Sequence, residues 1–153
     1  MNIVLLNPEI PANTGNIGRT CVLTNTKLHI IKPMSFSLED KYVKKSGMDY
    51  WKKVQLYLYD SLDEIIEQNQ NSTFYFATTK TECKYSDIKF KYNDFVVFGP
   101  ESRGIPEEIL NKHKDNCIII PMKENGRSLN LSNAVSIILF EALRQNNFDF
   151  GEK

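Results

Sequence analysis

The stretch NIVLLNPEIPANTGNIGRTC, residues 2–21, sets the pattern for the whole chain. Ile3-Val4-Leu5-Leu6 is an unbroken apolar run of strand length, so residues 2–6 are read as a buried strand. Asn7-Pro8 ends it. A helix is expected from about Gly15, where Ile17, Cys21, Val22 and Leu23 give an apolar face and Asn13 or Thr14 can cap the start. Outward from this unit the alternation repeats. Leu28–Ile31 reads as a second strand stopped by Pro33. Ser37–Asp40 reads as a helix start with Gly47 at its end. Val54–Tyr59 alternates like a half-exposed strand. Ser61 and Glu64 have capping-box spacing before a short helix. Thr73–Thr78, Phe95–Phe98 and Cys117–Ile120 read as three more strands. Pro106–Asn111 is a short helix with proline in its first turn. A longer helix is expected from Leu131 to Arg144, with Ala134, Val135, Ile138, Leu139 and Leu143 apolar. Strands alternating with helices imply an α/β fold, a mostly parallel sheet flanked by helices. No composition break, linker or repeat divides residues 1–153, so a single domain is expected.

The 153 residues carry 19 Lys+Arg and 19 Asp+Glu, and 41% are hydrophobic. That balance is ordinary for a globular protein and excludes a uniformly basic one. It hides an asymmetry. Residues 1–53 hold eight Lys/Arg against four Asp/Glu, and residues 54–153 hold eleven against fifteen. A basic N-terminal third suits a local, salt-sensitive nucleic-acid footprint. No basic leader with a long apolar run opens the chain, and no apolar stretch is long enough to span a bilayer, so no signal peptide and no membrane span are expected. Cys21, Cys83 and Cys117 form no Cys-x-x-Cys pair and are expected to be free thiols in the cytoplasm. With only His29 and His113 besides, no metal site is expected. His29 is expected to pack within its apolar run. His113, among Lys112, Lys114 and Asp115, is expected to be solvated.

Ligands of parallel α/β sheets bind beyond the carboxyl ends of the strands. Three loops at such positions have unusual content. Asn13–Arg19 (NTGNIGR) brings two glycines, two asparagines and an arginine to a helix start, where backbone N–H groups suit an anion; a capped helix end is the plainer reading. Gly99–Pro106 (GPESRGIP) places Glu101 and Arg103 on a stiff turn behind Gly99, whose lack of a side chain admits a ligand to the backbone; a structural turn with a local ion pair is the plainer reading. Arg127–Asn133 (RSLNLSN) has more hydrogen-bonding side chains before an apolar helix than capping requires.

Taken together, NTGNIGRTC, FGPESRGIP and IPM…RSLNLSNAV resemble the three signature motifs of the SPOUT-class RNA 2′-O-ribose methyltransferases. The start NIVLLNPEIPANTGNIGRTC with LHIIKPMSF is most similar to the small bacterial tRNA (cytidine-2′-O)-methyltransferases that act at wobble position 34. The resemblance covers nearly the whole chain. It implies an α/β knot, in which the C-terminal portion forms a deep trefoil knot by threading a loop. General topology rules would argue against such a path. It also implies S-adenosyl-L-methionine as cofactor (S-adenosyl-L-homocysteine as product), the tRNA anticodon loop as partner, and a homodimer with its active site at the subunit interface. By motif, the cofactor would be held by Ala77, Thr78, Gly99, Ile120, Ser128 and Leu129, largely through backbone groups. The reaction residues would be Arg19, Asn13, Glu101, Arg127 and Asn130. A guanidinium stays protonated, so Arg19 is read as a stabiliser of the emerging alkoxide and the adjacent phosphate rather than a base. Asn13 would orient the ribose, and Glu101 would hold an arginine or receive the proton through water. Modified uridine 34 is a further candidate substrate.

RNA contact is expected at Lys41, Lys44 and Lys45, spaced i, i+3, i+4 on one helix, near Lys52 and Lys53 and the aromatic pair Tyr50-Trp51, whose rings can stack on an unpaired base. A solvated lysine face is the plainer reading. Other readings are methylation of another tRNA position or of ribosomal RNA, a nucleotide-binding module without catalysis, and a flavodoxin-like cofactor domain.

Overall fold

The run Asn2–Leu6 is strand β1, buried along its whole length. The apolar run Ile3–Leu6 that follows Asn2 suits a position covered on both faces. The computed structural model, which describes residues 1–124 and 126–151, places five strands beside it: β2 (Lys27–Ile31), β3 (Leu56–Tyr59), β4 (Phe74–Ala77), β5 (Phe95–Phe98) and β6 (Cys117–Ile118). Their order is β3-β2-β1-β5-β4-β6, and every pairing is parallel. Val4 lies between His29 and Val97 in register. The expected parallel α/β sheet is therefore what the chain forms. On one face Ile3 and Leu5 pack with Ile17 and Cys21 of α1 (Pro11–Leu23) and with Val135, Ile138 and Leu139 of α5 (Leu131–Gln145). On the other, Val4 and Leu6 pack with α3 (Leu62–Gln68) and α4 (Glu107–Lys112) through Leu62, Ile65 and Leu110.

Element ends differ from the sequence reading where chemistry outside the element sets them. Helix α1 begins at Pro11, not near Gly15, with Ile10 preceding it and no side-chain cap. Proline has no N–H to satisfy and its φ is already helical, so the helix starts there and Asn13 and Thr14 become buried interior residues, not caps. Helix α2 (Lys41–Gly47) starts one residue after the expected signal, with Asp40 accepting from the Tyr42 N–H at 2.8 Å. Ser61 caps α3 by accepting from the Glu64 N–H at 3.2 Å, while Glu64 reaches back to the Asp60 N–H. Strand β6 is cut to two residues; beyond it a lone bridge joins Ile119 to Lys84.

The glycines of α1 have a packing role. A Cβ on Gly15 would run into the Val43 carbonyl of α2, and one on Gly18 would enter the Trp51 ring. Both glycines are buried. The two positions face α2 and the 3₁₀ turn Met48–Lys53 that follows it, so the helix pair approaches closely there. They do not form an open anion cradle.

His29 packs as expected. It is 4% exposed, its Nε2 lies 3.0 Å from Asn2 Oδ1 and its Nδ1 3.3 Å from the Tyr59 hydroxyl. Burial first, then the positive charges of Lys27 and the N-terminus, lowers its pKa to about 4. The neutral ring is thus the folded-state form, and folding opposes protonation between the ordinary value near 6.5 and about 4. Stability should be full above pH 6.5 and fall as pH drops through that window. His29→Gln, which takes up no proton, should flatten the fall in Tm relative to the wild type; parallel curves would refute the assignment. His113 departs from expectation. Its ring stacks on Phe76 with centroids 4.4 Å apart, because α4 lays it on the sheet face.

Strands β4 and β5 are neighbours, yet residues 78–94 separate them. This connection is bonded at two places. Tyr85 N–H donates to Ile119 O at 3.0 Å and Ile119 N–H to Cys83 O at 2.8 Å. At the end of α5, Gln145 donates to Ile88 O at 3.0 Å and accepts from Phe90 N–H at 2.8 Å, and Asn146 donates to Phe90 O at 3.1 Å. Residues 83–90 therefore lie against both the segment leaving β6 and the last turn of α5.

Candidate active site

The loops leaving β1, β4, β5 and β6 converge beyond the carboxyl ends of the strands, next to the switch in strand order between β1 and β5. They enclose a cavity of about 800 Å³, closed on one side by the start of α5. That volume lies in the range of small-molecule and cofactor sites. Phe98, Ile105, Ile118 and Ile138 form an apolar floor, and Asn13, Thr78, Ser128 and Asn130 are polar groups on its walls.

All six residues expected to hold a cofactor lie on this cavity: Ala77, Thr78, Gly99, Ile120, Ser128 and Leu129. Thr78 N–H is tied to Ile118 O at 3.0 Å, which locks the β4 loop to β6. The backbone N–H groups of Ile120, Ser128 and Leu129 donate no hydrogen bond among the described residues. Free backbone donors beside apolar side chains suit the edge and face of a flat heterocycle, so the wall fits the adenine of an adenosyl cofactor. Gly99 has a further reason to be glycine. A Cβ there would strike the backbone of Gly104 and Ile105, because the loop folds back on itself. Gly104 closes that turn at φ +70°, with its N–H donating to Pro100 O at 2.9 Å.

The five reaction candidates divide. Asn13, Glu101 and Asn130 line the cavity; Arg19 and Arg127 do not. Asn130 is the α5 N-cap: its Oδ1 accepts from the Ser132 N–H at 2.9 Å and from the Ser132 hydroxyl at 2.6 Å. Its Nδ2 donates to Asn13 Oδ1 at 3.1 Å. Asn13 is 5% exposed, and its own Nδ2 donates to nothing among the described residues. Glu101 holds no arginine. Its carboxylate accepts from the backbone N–H of Glu9 at 2.7 Å and of Ile10 at 3.3 Å. These amides lie nearer to it than any guanidinium, and they occupy both its oxygens. Arg19 is exposed, its Nη1 3.3 Å from Met48 Sδ and its guanidinium 5.6 Å from the centre of the Tyr50 ring. Six positions along a helix turn through about 240°, so a residue six after Asn13 faces away from Asn13's cavity. Arg127 is exposed on the loop before α5.

Lys80 and Lys123, which the motifs do not assign, and Arg103, expected only in a local ion pair, also line the cavity. Arg103 and Lys123 lie within or beside a quoted motif and Lys80 two residues after Thr78, and their charge is the available signal. The motif reading also passed over Glu9 and Ser102, whose pairing across the chain has no local signature.

Lys41, Lys44 and Lys45 are exposed on α2. Lys44 is partly spent on Glu39 at 2.7 Å, and Lys41 lies over the Tyr42 ring. Trp51 is half-buried on Gly18 within the core, so it is not a free stacking platform; Tyr50 sits beside Arg19 instead. The basic helix thus leads directly into the residues that hold Arg19. No described helix is long and apolar enough to cross a membrane. Cys21, Cys83 and Cys117 are unpaired, and burial pushes the Cys21 thiol up to about 12.

A parallel sheet with a cofactor-sized cavity at its switch point is the architecture of an α/β ligand-binding domain, and comparison with known proteins narrows it. The model of the SpoU rRNA methylase family matches residues 1–140, and the chain belongs to that family. A protein of Geobacillus stearothermophilus, provisionally named a tRNA (cytidine(34)-2′-O)-methyltransferase, is 48% identical over 151 residues, which cover 97% of this chain and 96% of that one. A solved structure from work on 2-OH methylation of C/U34 on tRNA superposes with a TM-score of 0.90 at 38% identity, covering 95% of each chain. The SpoU methyltransferase AviRb of Streptomyces viridochromogenes, solved with AdoMet, shares the fold with a TM-score of 0.86 at 21% identity, over 96% of this chain and 58% of that one.

Proposed function

We propose that this chain methylates the ribose 2′-hydroxyl of the wobble nucleotide of tRNA, cytidine 34, with modified uridine 34 as a further substrate. The observation that carries the proposal is the cavity itself: the six residues expected to hold S-adenosyl-L-methionine, scattered from position 77 to 129, all line it. When bound, the cofactor supplies an already activated methyl group on a sulfonium, and no metal is called for. The chain's task is then to align the hydroxyl, exclude water and meet developing charge. The Asn13 Nδ2 is the group held ready to orient the ribose, since Asn130 already occupies its Oδ1. Arg19 supplies the cation for the emerging alkoxide and the neighbouring phosphate, and Arg127, exposed on the loop before α5, adds a second positive charge.

Arg19 faces away from the cavity of its own chain, so this reading requires a second copy to deliver it. Ile137 and Phe140 of α5 and Leu23 of α1 are large exposed apolar side chains on two helices that pack together. A homodimer through this face would bury them and bring one protomer's Arg19 toward its partner's cavity. The C-terminal portion is read as threading the 78–94 connection, which the bonds to Ile119 and to Gln145 favour. A tRNA substrate favours a cytoplasmic protein, as the sequence reading expects.

The deciding experiment is methylation of bulk tRNA with labelled S-adenosyl-L-methionine, followed by mass spectrometry of the modified nucleotide. A 2′-O-methylated residue 34 is expected. Label at another tRNA position, or in ribosomal RNA only, would replace this reading with one of its alternatives. The RNA footprint is tested separately. Lys44→Glu with Lys45→Glu should weaken tRNA binding about tenfold, since each lost phosphate contact removes a counterion-release contribution. Cofactor affinity should stay the same. Equal tRNA affinity would discard α2 as the contact.

A further inference from the structure

Two walls of the cavity hold each other by exchanging carboxylates. Glu101, after β5, accepts from the N–H groups of Glu9 and Ile10, just before α1. Glu9 returns the bond: its Oε1 accepts from the Ser102 N–H at 3.2 Å and from the Ser102 hydroxyl at 2.7 Å, and its Oε2 lies 3.0 Å from the same hydroxyl. The partners are 91 to 93 positions apart in the chain. Neither carboxylate forms an ion pair among the described residues. The Ser102 bonds, with the nearby charge of Arg103, hold the Glu9 carboxyl below the usual carboxylate range. Asn13 stands one helical turn beyond Ile10 and is tied to Asn130 on its other side. The start of α1 is therefore fixed at two places, and the Gly99–Gly104 loop is fixed by the same exchange.

We propose that Glu9 is a positioning residue for methyl transfer: through Ser102 it sets the Gly99–Gly104 wall against the start of α1, and so the distance from that wall to Asn13. Glu9 touches no reacting atom. Its contribution is alignment, and displacement of a catalytic group by about 1 Å can cost on the order of 100-fold in rate. The inference rests on the methyltransferase reading above.

Three measurements on Glu9→Ala and Glu9→Gln test it. In Glu9→Ala, kcat for tRNA methylation should fall at least about tenfold while KM for tRNA stays within about threefold. Tm should stay within a few degrees, because Glu9 is not a core residue. Amide exchange in residues 99–104 should speed up. Glu9→Gln retains a carbonyl oxygen for the Ser102 N–H and should recover most of the rate and of the exchange protection. Wild-type kcat or unchanged exchange in Glu9→Ala would overturn the proposal, as would a rate loss that follows Tm and is not restored by glutamine. A wild-type chain inert toward tRNA would instead overturn the assigned reaction, and the exchange measurement would then judge the clamp alone.

Discussion

Arg19→Ala is expected to lose about 100- to 1,000-fold in methyl transfer while folding and binding S-adenosyl-L-methionine as the wild type does. The size follows from the proposed role, a cation delivered by the partner protomer to charge that exists only in the transition state. The selectivity follows from position. Arg19 contacts the exposed Met48 and the half-exposed Tyr50, makes no ion pair among the described residues and stands outside its own chain's cavity. Its removal opens no core cavity, so Tm should move little. Arg19→Lys should recover only part of the rate, since an ammonium supplies charge without the planar fork that can span an alkoxide and a phosphate. Single-turnover transfer with saturating cofactor, beside calorimetric cofactor binding, separates the effects. Wild-type turnover by Arg19→Ala would remove the residue from the mechanism.

Gly99→Val is expected to abolish measurable cofactor binding and to lower stability by about 3 kcal/mol. The branched side chain has nowhere to go. Even its first carbon would meet the backbone of Gly104 and Ile105, and β5 immediately before it is buried on both faces. The loop must therefore open, and with it the wall that joins Gly99, Glu101 and Ser102 to the start of α1. Gly99→Ala separates the two reasons for glycine at this position. If the residue only leaves room for a ligand, alanine should weaken binding and leave Tm unchanged. The crowding inside the loop makes both fall together. Unchanged Tm and unchanged affinity in Gly99→Ala would refute the geometry.

The arrangement of strands was readable because burial on both faces leaves a plain signal. β1 beyond Asn2 and all of β5 are unbroken apolar runs, and the expected positions agree with the observed ones. Cofactor-wall residues were readable for a different reason. Gly99, Ile120, Ser128 and Leu129 lie in two of the long motifs, Ala77 ends β4 with Thr78 next to it, and all of these segments leave the carboxyl ends of neighbouring strands. The glycines of α1 were misread because a helix start rich in glycine suits an anion and a close helix contact alike. Only the position of Val43 and Trp51 decides between them. Glu101 lines the cavity as expected, but a carboxylate in a motif says nothing of which donor reaches it first, and here two backbone amides do in place of an arginine.

The sequence by itself determined the class of the chain: a parallel α/β sheet, three separate motifs after strands, and a basic N-terminal third. These follow from hydrophobic period, turn chemistry and charge, which act over a few neighbouring residues. Tertiary structure alone decided which way Arg19 points, which groups Glu9 and Glu101 bind, and why Gly99 and Gly18 carry no side chain. Those depend on contacts between segments tens of residues apart, whose distances no local pattern contains. Arg19 shows the division most clearly. The motif resemblance assigns it a reaction role, while the 3.6-residue turn of α1 carries it away from the cavity that Asn13 lines.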